Sequence, residues 1–296
     1  MKRPDEWTVI PLLQRTTTFF ESRGIESPRL DAELLLAATL GLTRIDLYLR
    51  HDQPLHQEEL DRFRDLVKRR KDREPVAYIL GEKAFWTLDL AVGPDVLIPR
   101  PETECLVEAV LAFVKDRGDR FSGRMLDLGT GSGAIALALA QSCPAARVMA
   151  VDRSLKALAL ADGNRRRHHL EDRVDLLAGN WLDSFSPAKA RFDVIVSNPP
   201  YIPSAQIDHL QPEIARYEPR AALDGGADGL DCIRHLVARA AVFLSPGGGL
   251  FIEIGHDQYP AVRQLAEDCG GYAQVSCRQD YGGQDRVACL LKRAHL

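Results

Sequence analysis

From residue 124 onwards, short apolar runs alternate with segments whose apolar residues recur at helical spacing. The short runs predict strands at 125–128, 147–151, 174–177, 192–197 and 249–254. The periodic segments between and after them predict helices at 135–141, 155–169, 230–244 and 259–268. Repeated strand–helix units are typical of a doubly wound parallel α/β sheet. Two final runs, at 274–278 and 286–291, share a turn too short for a parallel return, so they are predicted to add an antiparallel pair and complete a seven-stranded sheet.

The first eighty residues show helical periodicity without a strand-like run. Helices are predicted there at 9–20, 28–41, 43–48 and 58–73. Between 75 and 98, glycines and prolines punctuate two short β-type runs, which predicts a hairpin. We therefore expect three parts along the chain. They are a helical domain at 1–80, a hairpin linker at 81–98 and an α/β domain at 99–296.

Composition narrows the class of protein. The formal net charge of −4 and a pI near 6.1 exclude a general polycation for nucleic acid. A local basic cluster at Lys68–Lys71 is interpreted as the solvated end of a helix, with a contact to RNA or to a partner as the alternative. The six cysteines are scattered without a C-x-x-C pair, so we expect reduced thiols and no metal site. The acidic start of the chain lacks a signal-peptide core, and no apolar run reaches the ~20 residues of a membrane span, so a cytoplasmic protein without membrane contact is expected.

The turn after the first strand of the α/β domain is rich in glycine. It reads Asp127-Leu128-Gly129-Thr130-Gly131-Ser132-Gly133, and such a loop lets a ligand approach the backbone at a helix N-terminus. The loop alone also fits a dinucleotide fingerprint. The third glycine comes early and an acid precedes the first one, and both features favour S-adenosylmethionine. Asp127 is placed to help hold the ammonium group of this cofactor. Asp152, ending the next strand, is placed to accept the ribose hydroxyls, and Trp181 to flank an adenine.

A second motif, Asn198-Pro199-Pro200-Tyr201, follows the apolar strand at 192–197. The two prolines end that strand, because neither offers an N–H to the sheet ladder. The amide oxygen of Asn198, the free carbonyl of Pro199 and the ring of Tyr201 suit a planar NH2 group, such as a carboxamide or an exocyclic base amine. The motif alone would also fit a rigid loop. Preceded by the glycine-rich loop and Asp152, it indicates an N-methyltransferase.

The stretch from Ile98 to Glu104 reads Ile-Pro-Arg-Pro-Glu-Thr-Glu and precedes a predicted helix at 103–115. A proline-primed helix start with acids at its positive end accounts for the glutamates. It does not account for Arg100. Two roles therefore remain possible for Arg100 and Glu102. They could shape a substrate pocket, or they could only build the loop.

These motifs suit methyl transfer to a poorly nucleophilic nitrogen. Two acceptors can hold both N–H groups and direct the lone pair towards the methyl group, and no general base is evident within the motif. An adenine-N6 methyltransferase acting on DNA or RNA would share this logic, but we find neither a basic face nor a target-recognition insert. A cofactor-sensing binding protein is the non-enzymatic alternative, and the intact Asn198 and Tyr201 argue against it.

The chain resembles the bacterial release-factor glutamine methyltransferases of the HemK/PrmC type. The resemblance spans nearly the whole sequence and rests on the stretches at 98–104, 127–133, 198–201, 218–223 and 253–255. It implies N5-methylation of the glutamine in the Gly-Gly-Gln loop of peptide chain release factors, with the helical domain helping to dock them. The cofactor contacts are expected at Asp127, Gly129, Thr130, Gly131, Ser132, Gly133, Asp152, Trp181 and Asn198. Catalysis is expected from Asn198, Pro199 and Tyr201, and substrate contacts from these residues with Pro200, Arg100 and Glu102.

Overall fold

A computed structural model describes residues 7–118 and 121–294 of the 296-residue chain. The chain divides into two compact units. The first unit comprises the residues up to Gly81 together with Gln211–Tyr217, and the second comprises Glu82–Leu210 and Glu218 onwards. None of the described helices is both long and apolar enough to cross a membrane.

The helical unit forms around apolar faces that the sequence spacing predicts. Its helices before Gly81 are α1 (Val9–Ser22), α2 (Pro28–Leu40), α3 (Arg44–Leu49), α4 (Gln57–Lys71) and α5 (Val76–Leu80). The side chains of Phe20, Leu35 and Leu47 are fully buried in the core of the unit, and each contributes about 1.5–3 kcal/mol by leaving water. Helix α2 begins at a proline and ends before Gly41, whose φ of 64° is the left-handed conformation common after helices. The four predicted helices are confirmed, and α5 is an additional helix.

The second unit contains the hairpin and the sheet. Its strands are β1 (Glu82–Phe85), β2 (Leu88–Ala91), β3 (Arg124–Leu128), β4 (Arg147–Asp152), β5 (Val174–Ala178), β6 (Phe192–Ser197), β7 (Leu244–Glu253), β8 (Tyr272–Gln279) and β9 (Asp285–Lys292). Its α-helices are α6 (Glu104–Lys115), α7 (Ala134–Ser142), α8 (Leu155–Arg167), α10 (Asp231–Ala240) and α11 (Tyr259–Cys269). Short 3-10 helices lie at Pro101–Thr103, Ser204–His209 and Arg220–Ala222.

The sheet has seven strands in the order β5-β4-β3-β6-β7-β9-β8, which confirms the predicted fold class. Strands β3 to β7 run parallel, and β9 is antiparallel to both of its neighbours. Leu128 pairs with both Val151 and Ser197, and Ser197 also pairs with Ile252. This register places the residues that follow β3, β4 and β6, and the last residue of β7, along one edge of the sheet.

Two predicted boundaries are wrong. The helix predicted at 230–244 ends at Ala240, and β7 starts at Leu244 rather than at Gly249. Pro246 lacks the N–H that a helix needs, and Gly247 adopts a left-handed φ of 71°. The chain therefore enters the sheet early, and the β6–β7 register shifts between Phe192 and Val194 to accommodate the extra residues.

The hairpin of β1 and β2 is fastened to helices of its own unit. The Trp86 N–H donates to Glu104 Oε1 at 2.8 Å, and the Ala91 N–H donates to Asn164 Oδ1 at 2.7 Å. The side chain of Asn164 also donates to the carbonyl of Ser132 at 2.9 Å, so it ties the hairpin to the glycine-rich loop. The three-part division expected from the sequence, including a docking role for the first part, stays a prediction.

Helix α9 (Pro212–Tyr217) belongs to the helical unit, although it lies far along the chain. Arg70 is 5% exposed and bridges Asp31 and Glu213 through contacts of 2.7 Å each. Arg73 reaches the same glutamate at 2.8 Å. The interpretation of Lys68–Lys71 as a solvated helix end is therefore wrong for Arg70, which is a buried ion-pair partner.

Candidate active site

A cavity of about 350 Å³ opens at the carboxyl edge of the sheet, entirely within the α/β unit. Its walls come from the loops that follow β3, β4, β5 and β6, and from the stretch before α6. Among its lining residues are Val96, Thr103, Gly129, Thr130, Gly131, Ser132, Asp152, Trp181, Asn198 and Pro200. The predicted cofactor and substrate motifs therefore meet at one cavity.

The glycine-rich loop leaves β3 in a conformation that a side chain would oppose. Gly129 and Gly131 have φ values of 76° and 56°, in the left-handed region that glycine adopts without strain. A Cβ on Gly129 would also lie 3.4 Å from the ring of Trp181. The N–H groups of Gly129 and Thr130 donate to the carbonyl of Val151, at 2.9 and 3.0 Å. These bonds hold the loop across the top of the adjacent strand.

Asp152 ends β4, as predicted, and it lines the cavity. Its Oδ2 accepts from the Gly131 N–H at 2.9 Å, and its Oδ1 accepts from the Ser154 N–H at 2.8 Å. A carboxylate has about four acceptor positions, so lone pairs remain for a ligand's hydroxyl groups. The two backbone bonds fix the direction in which they point.

Asp127 lies beneath the loop rather than in the cavity wall. It is fully buried, and its Oδ2 accepts from the Thr130 hydroxyl at 2.6 Å and from the Ala136 N–H at 3.2 Å. Its Oδ1 has no hydrogen-bond partner among the described residues. Burial raises the pKa of this carboxyl to about 7, against the opposing effect of the Thr130 hydroxyl. This position shows Asp127 joining the loop to the start of α7, and a direct contact with a cofactor stays a prediction.

Trp181 follows β5 and lines the cavity beside Gly129. Its φ of 49° is unusual for a bulky residue, so the surrounding structure must hold it there. The ring is partly buried against the core on one side of the sheet, and it also borders the cavity. The indole therefore both packs on the core and forms part of the cavity wall, and its contact with an adenine stays a prediction.

Asn198 leads the second motif and lines the cavity. Its Nδ2 donates to the buried Thr103 hydroxyl oxygen at 3.2 Å. Its Oδ1 accepts no hydrogen bond from the part of the chain that the structure describes. The amide therefore presents an unpaired acceptor, which is what a substrate NH2 group requires. Pro200 also lines the cavity, while Pro199 is buried outside the lining.

Tyr201 points its hydroxyl away from solvent. The OH donates to Glu253 Oε1 at 3.2 Å, and the carbonyl of the same tyrosine accepts from Gln258 Nε2 at 2.9 Å. Burial, reinforced by the charge of Glu253, raises the pKa of Tyr201, so the phenol stays protonated at neutral pH. Both ends of the residue that closes the motif are thus held in place.

Arg100 pairs with Glu218 instead of standing free. Glu218 is almost fully buried and accepts from an Arg100 Nη2 donor and, at 3.3 Å, from the Ile98 N–H. Burial raises the pKa of Glu218, and Arg100 opposes that rise. Glu102 is exposed. The ion pair therefore gives Arg100 a structural role, because it joins the loop before α6 to the segment that carries Glu218. Contacts of Arg100 and Glu102 with a substrate stay predictions.

Sequence reasoning missed four residues that hold this site: Thr103, Glu218, Glu253 and Gln258. A signal existed for three of them, because Thr103, Glu218 and Glu253 lie in stretches that carry the family resemblance. Their roles depend on contacts between distant segments, which local patterns do not report. Gln258 gave no signal beyond its position near the end of β7.

Comparison with known proteins identifies the family of this chain. Residues 11–81 match the PrmC N-terminal domain, and residues 103–215 match the methyltransferase small domain. A release factor glutamine methyltransferase of Geobacter sulfurreducens is 46% identical over 97% of both chains. One of Rhodopirellula baltica is 44% identical, again over 97% of both. The chain belongs to the release factor glutamine methyltransferase family. The resemblance stated from the sequence is thereby confirmed.

Solved structures of more distant proteins share the fold of this family. A methyltransferase of Pyrococcus furiosus matches with a TM-score of 0.50 at 20% identity, over 72% of this chain and 92% of that chain. A 16S rRNA N2 G1207 methyltransferase of T. thermophilus, in complex with AdoMet and guanosine, matches with a TM-score of 0.51 at 21% identity, over 72% of this chain and 50% of that chain. At this level of identity the likeness concerns the fold alone.

Proposed function

We propose that the protein transfers a methyl group from S-adenosylmethionine to the side-chain amide nitrogen of the glutamine in the Gly-Gly-Gln loop of peptide chain release factors. The observation that carries the proposal is the amide of Asn198 at the cavity wall. Its NH2 group donates to Thr103, and its oxygen has no hydrogen-bond partner among the residues that the structure describes. Membership of the release factor glutamine methyltransferase family supports the choice of substrate.

The cavity residues fit the cofactor. A volume of about 350 Å³ lies within the range of small-molecule sites. Gly129 to Gly131 would let the ligand approach the backbone, Asp152 would accept its ribose hydroxyls, and Trp181 would border its adenine. Asp127 would act through the loop that it supports. When bound, S-adenosylmethionine supplies a methyl group on a sulfonium, and sulfur keeps the bonding electron pair.

The substrate amide needs help because its nitrogen shares its lone pair with the neighbouring carbonyl. Asn198 Oδ1 and the Pro199 carbonyl would each accept one N–H, which holds the nitrogen and directs its lone pair at the methyl carbon. Positive charge builds on that nitrogen as the N–C bond forms, so both acceptors bind the transition state more strongly than the ground state. The nitrogen then loses one proton to solvent, because methyl transfer makes that proton acidic.

A labelled-methyl assay with peptide mapping tests this function. The purified protein is incubated with labelled S-adenosylmethionine and either a release factor or the same factor with its loop glutamine replaced. Label confined to the loop glutamine of the first factor is expected. Equal labelling of both factors, or labelling of DNA alone, would reject the proposal.

The remaining expectations concern partners and location. We expect no direct contact with nucleic acid, since the net charge is −4 and no basic face is required for a protein substrate. We expect the enzyme to work in the cytoplasm, without membrane contact.

A further inference from the structure

Gln258 is a buried carboxamide just before α11, and its oxygen and both of its N–H groups find partners. The Oε1 atom accepts from the Gly255 N–H at 2.8 Å. The Nε2 atom donates to the carbonyl of Tyr201 at 2.9 Å and to the carbonyl of Gly229 at 3.3 Å. Only the nitrogen of an amide can donate to two carbonyls, so these contacts fix which end of the side chain faces them.

The two carbonyls that meet Gln258 come from different segments of the α/β unit. Tyr201 closes the Asn198 motif, and Gly229 lies on the loop at 224–231. Neither carbonyl oxygen accepts another hydrogen bond from the part of the chain that the structure describes. Both oxygens carry partial negative charge and converge on one nitrogen. The NH2 group of Gln258 is therefore what allows the two segments to lie together, because unpaired carbonyls in such a place are costly.

Glycines let the loop at 224–231 pack directly on the backbone of Tyr201. Gly229 has a φ of 77°, in the left-handed region. A Cβ on Gly229 would lie 2.3 Å from the Tyr201 carbonyl oxygen and 2.8 Å from Gln258 Nε2. A Cβ on Gly225 would lie 2.8 Å from the Tyr201 Cα atom. The junction has no room for a side chain, and Gln258 binds both of its halves.

The junction bears on the chemistry because the Asn198 motif is stiff between two fixed ends. Before the motif, Ser197 is paired with the strands on both sides of β6. After it, Gln258 holds the Tyr201 carbonyl. The two prolines between them have a locked φ, so the motif has little freedom to adjust internally. A shift of its second end would therefore move the acceptors that the motif offers to the substrate.

We propose that Gln258 is a positioning residue that joins the Tyr201 carbonyl to the loop at 224–231 and thereby keeps the acceptors of the Asn198 motif in place for methyl transfer. The inference rests on the proposed function, since it concerns the same substrate nitrogen. Gln258 is not among the described residues that line the cavity, so it acts through the backbone of Tyr201. The same loop lines the cavity through Asp224, so the junction joins two parts of the cavity wall.

Two substitutions of Gln258 test this role. Gln258→Met keeps much of the volume and removes all three hydrogen bonds, whereas Gln258→Glu keeps an acceptor for the Gly255 N–H and removes only the NH2 group. In both variants we expect kcat for methylation of a release factor to fall about 10- to 100-fold, as for misplaced reacting groups. The Kd for S-adenosylmethionine should stay unchanged, because the groups proposed to hold it follow β3, β4 and β5. Gln264→Met, at an exposed glutamine of α11 that donates to Asp268 at 2.8 Å, is the control with wild-type kcat.

A matched pair of glycine variants opens the same junction from its other side. Gly229→Ala places a methyl group against the Tyr201 carbonyl and should reproduce the loss of kcat. Gly283→Ala meets similar backbone strain, at a φ of 75°, but its Cβ has nothing within 4 Å, so it should keep wild-type kcat. The double variant of Gly229→Ala and Gln258→Met should lose no more than the single variants, because both break one junction. Wild-type kcat in a folded Gln258→Met or Gln258→Glu protein, multiplying losses in the double variant, or an equal loss of cofactor affinity would each overturn the proposal.

A readout without substrate makes the test independent of the proposed function. The NMR signals of the Tyr201 ring are recorded in ligand-free protein with labelled tyrosine and are assigned with Tyr201→Phe. They should shift in Gln258→Met, Gln258→Glu and Gly229→Ala, and stay in place in Gln264→Met and Gly283→Ala. Unshifted signals in both Gln258 variants would refute the junction. If the wild-type protein labelled no release factor, the proposed function would fail, and this measurement would still decide whether Gln258 positions Tyr201.

Discussion

Replacing Arg100 with methionine tests how the stretch before α6 is held against the rest of the α/β unit. The guanidinium is the charged partner of Glu218, which also accepts a longer bond from the Ile98 N–H. Methionine keeps much of the side-chain volume and removes the charge. The substitution therefore leaves a carboxylate in a buried position with one weak donor.

The cost can be worked out from this environment. Removing one partner of a buried ion pair costs about 3–5 kcal/mol. The lower end applies, about 3 kcal/mol, because Arg100 is 29% exposed and the Ile98 N–H remains. For a unit of this size such a loss lowers Tm by roughly 6–12 °C.

The loss should depend on pH. Burial already raises the pKa of Glu218, and removing Arg100 raises that pKa further. A carboxyl whose folded pKa lies above its unfolded value, about 4.3, stabilises the fold fully below that value and loses the effect as the pH rises through the folded pKa. Arg100→Met should therefore be close to wild type near pH 4 and fall increasingly below it towards pH 8.

Thermal unfolding of four proteins across this pH range gives the measurement. They are the wild type, Arg100→Met, Glu218→Gln and the double variant. The double variant should recover most of the loss seen in Arg100→Met at high pH, because no buried charge is left unpaired. A Tm deficit that is independent of pH, or a double variant as unstable as Arg100→Met, would refute the stabilising role of the Arg100–Glu218 ion pair.

Three further predictions concern the cofactor loop, the indole and the helical unit. Asp127→Asn should flatten the pH profile of Tm. The wild-type carboxyl has its pKa raised to about 7, so wild-type stability falls as the pH rises from about 4 to about 7. A pH profile of Tm unchanged by the substitution would contradict the effect of burial. Trp181→Ala should raise the Kd for S-adenosylmethionine, measured by calorimetry, about tenfold. A Kd equal to that of the wild type would show that the indole does not contact the cofactor. Arg70→Met should destabilise the helical unit by about 3 kcal/mol and speed proteolysis at 211–217, whereas Arg64→Met, at an exposed pair, should not; equal behaviour of the two would disprove the buried bridge.

The strands of the sheet and most of the helices were predictable because their signals are local. Strand β6 is an apolar run ended by prolines, and α2 carries Pro28 at its start and Gly41 after its end. The glycine-rich loop and Asp152 were recognisable for the same reason, since parallel strands bring their carboxyl ends to one edge. These features place the cavity without knowledge of any long-range contact.

Helices α5 and α9 and the buried bridge were beyond local patterns. Both helices are short, at five and six residues, so periodicity alone does not report them; α3 is equally short but begins with the capping pair of Thr43 and Asp46. Helix α9 joins the helical unit through Arg70 and Glu213, which lie 143 residues apart in the chain. A run of four basic residues looks like a solvated surface until the carboxylates that meet it are known.

The supporting residues of the site were hidden for a related reason. Thr103 matters because its buried hydroxyl oxygen accepts from Asn198, which lies on a distant segment of the chain. Glu253 ends an apolar strand, and a charged residue there can equally face solvent. Only the pairing of β6 with β7 shows that it is buried level with Asn198.

The central claim is that the amide oxygen at position 198 holds the substrate nitrogen during transfer. Its most direct test is the single-turnover rate of methyl transfer to a release factor by Asn198→Ala, with cofactor and factor saturating. The account predicts a rate about 100- to 1,000-fold below wild type, with an intact fold by circular dichroism. A wild-type rate in this variant would contradict the account.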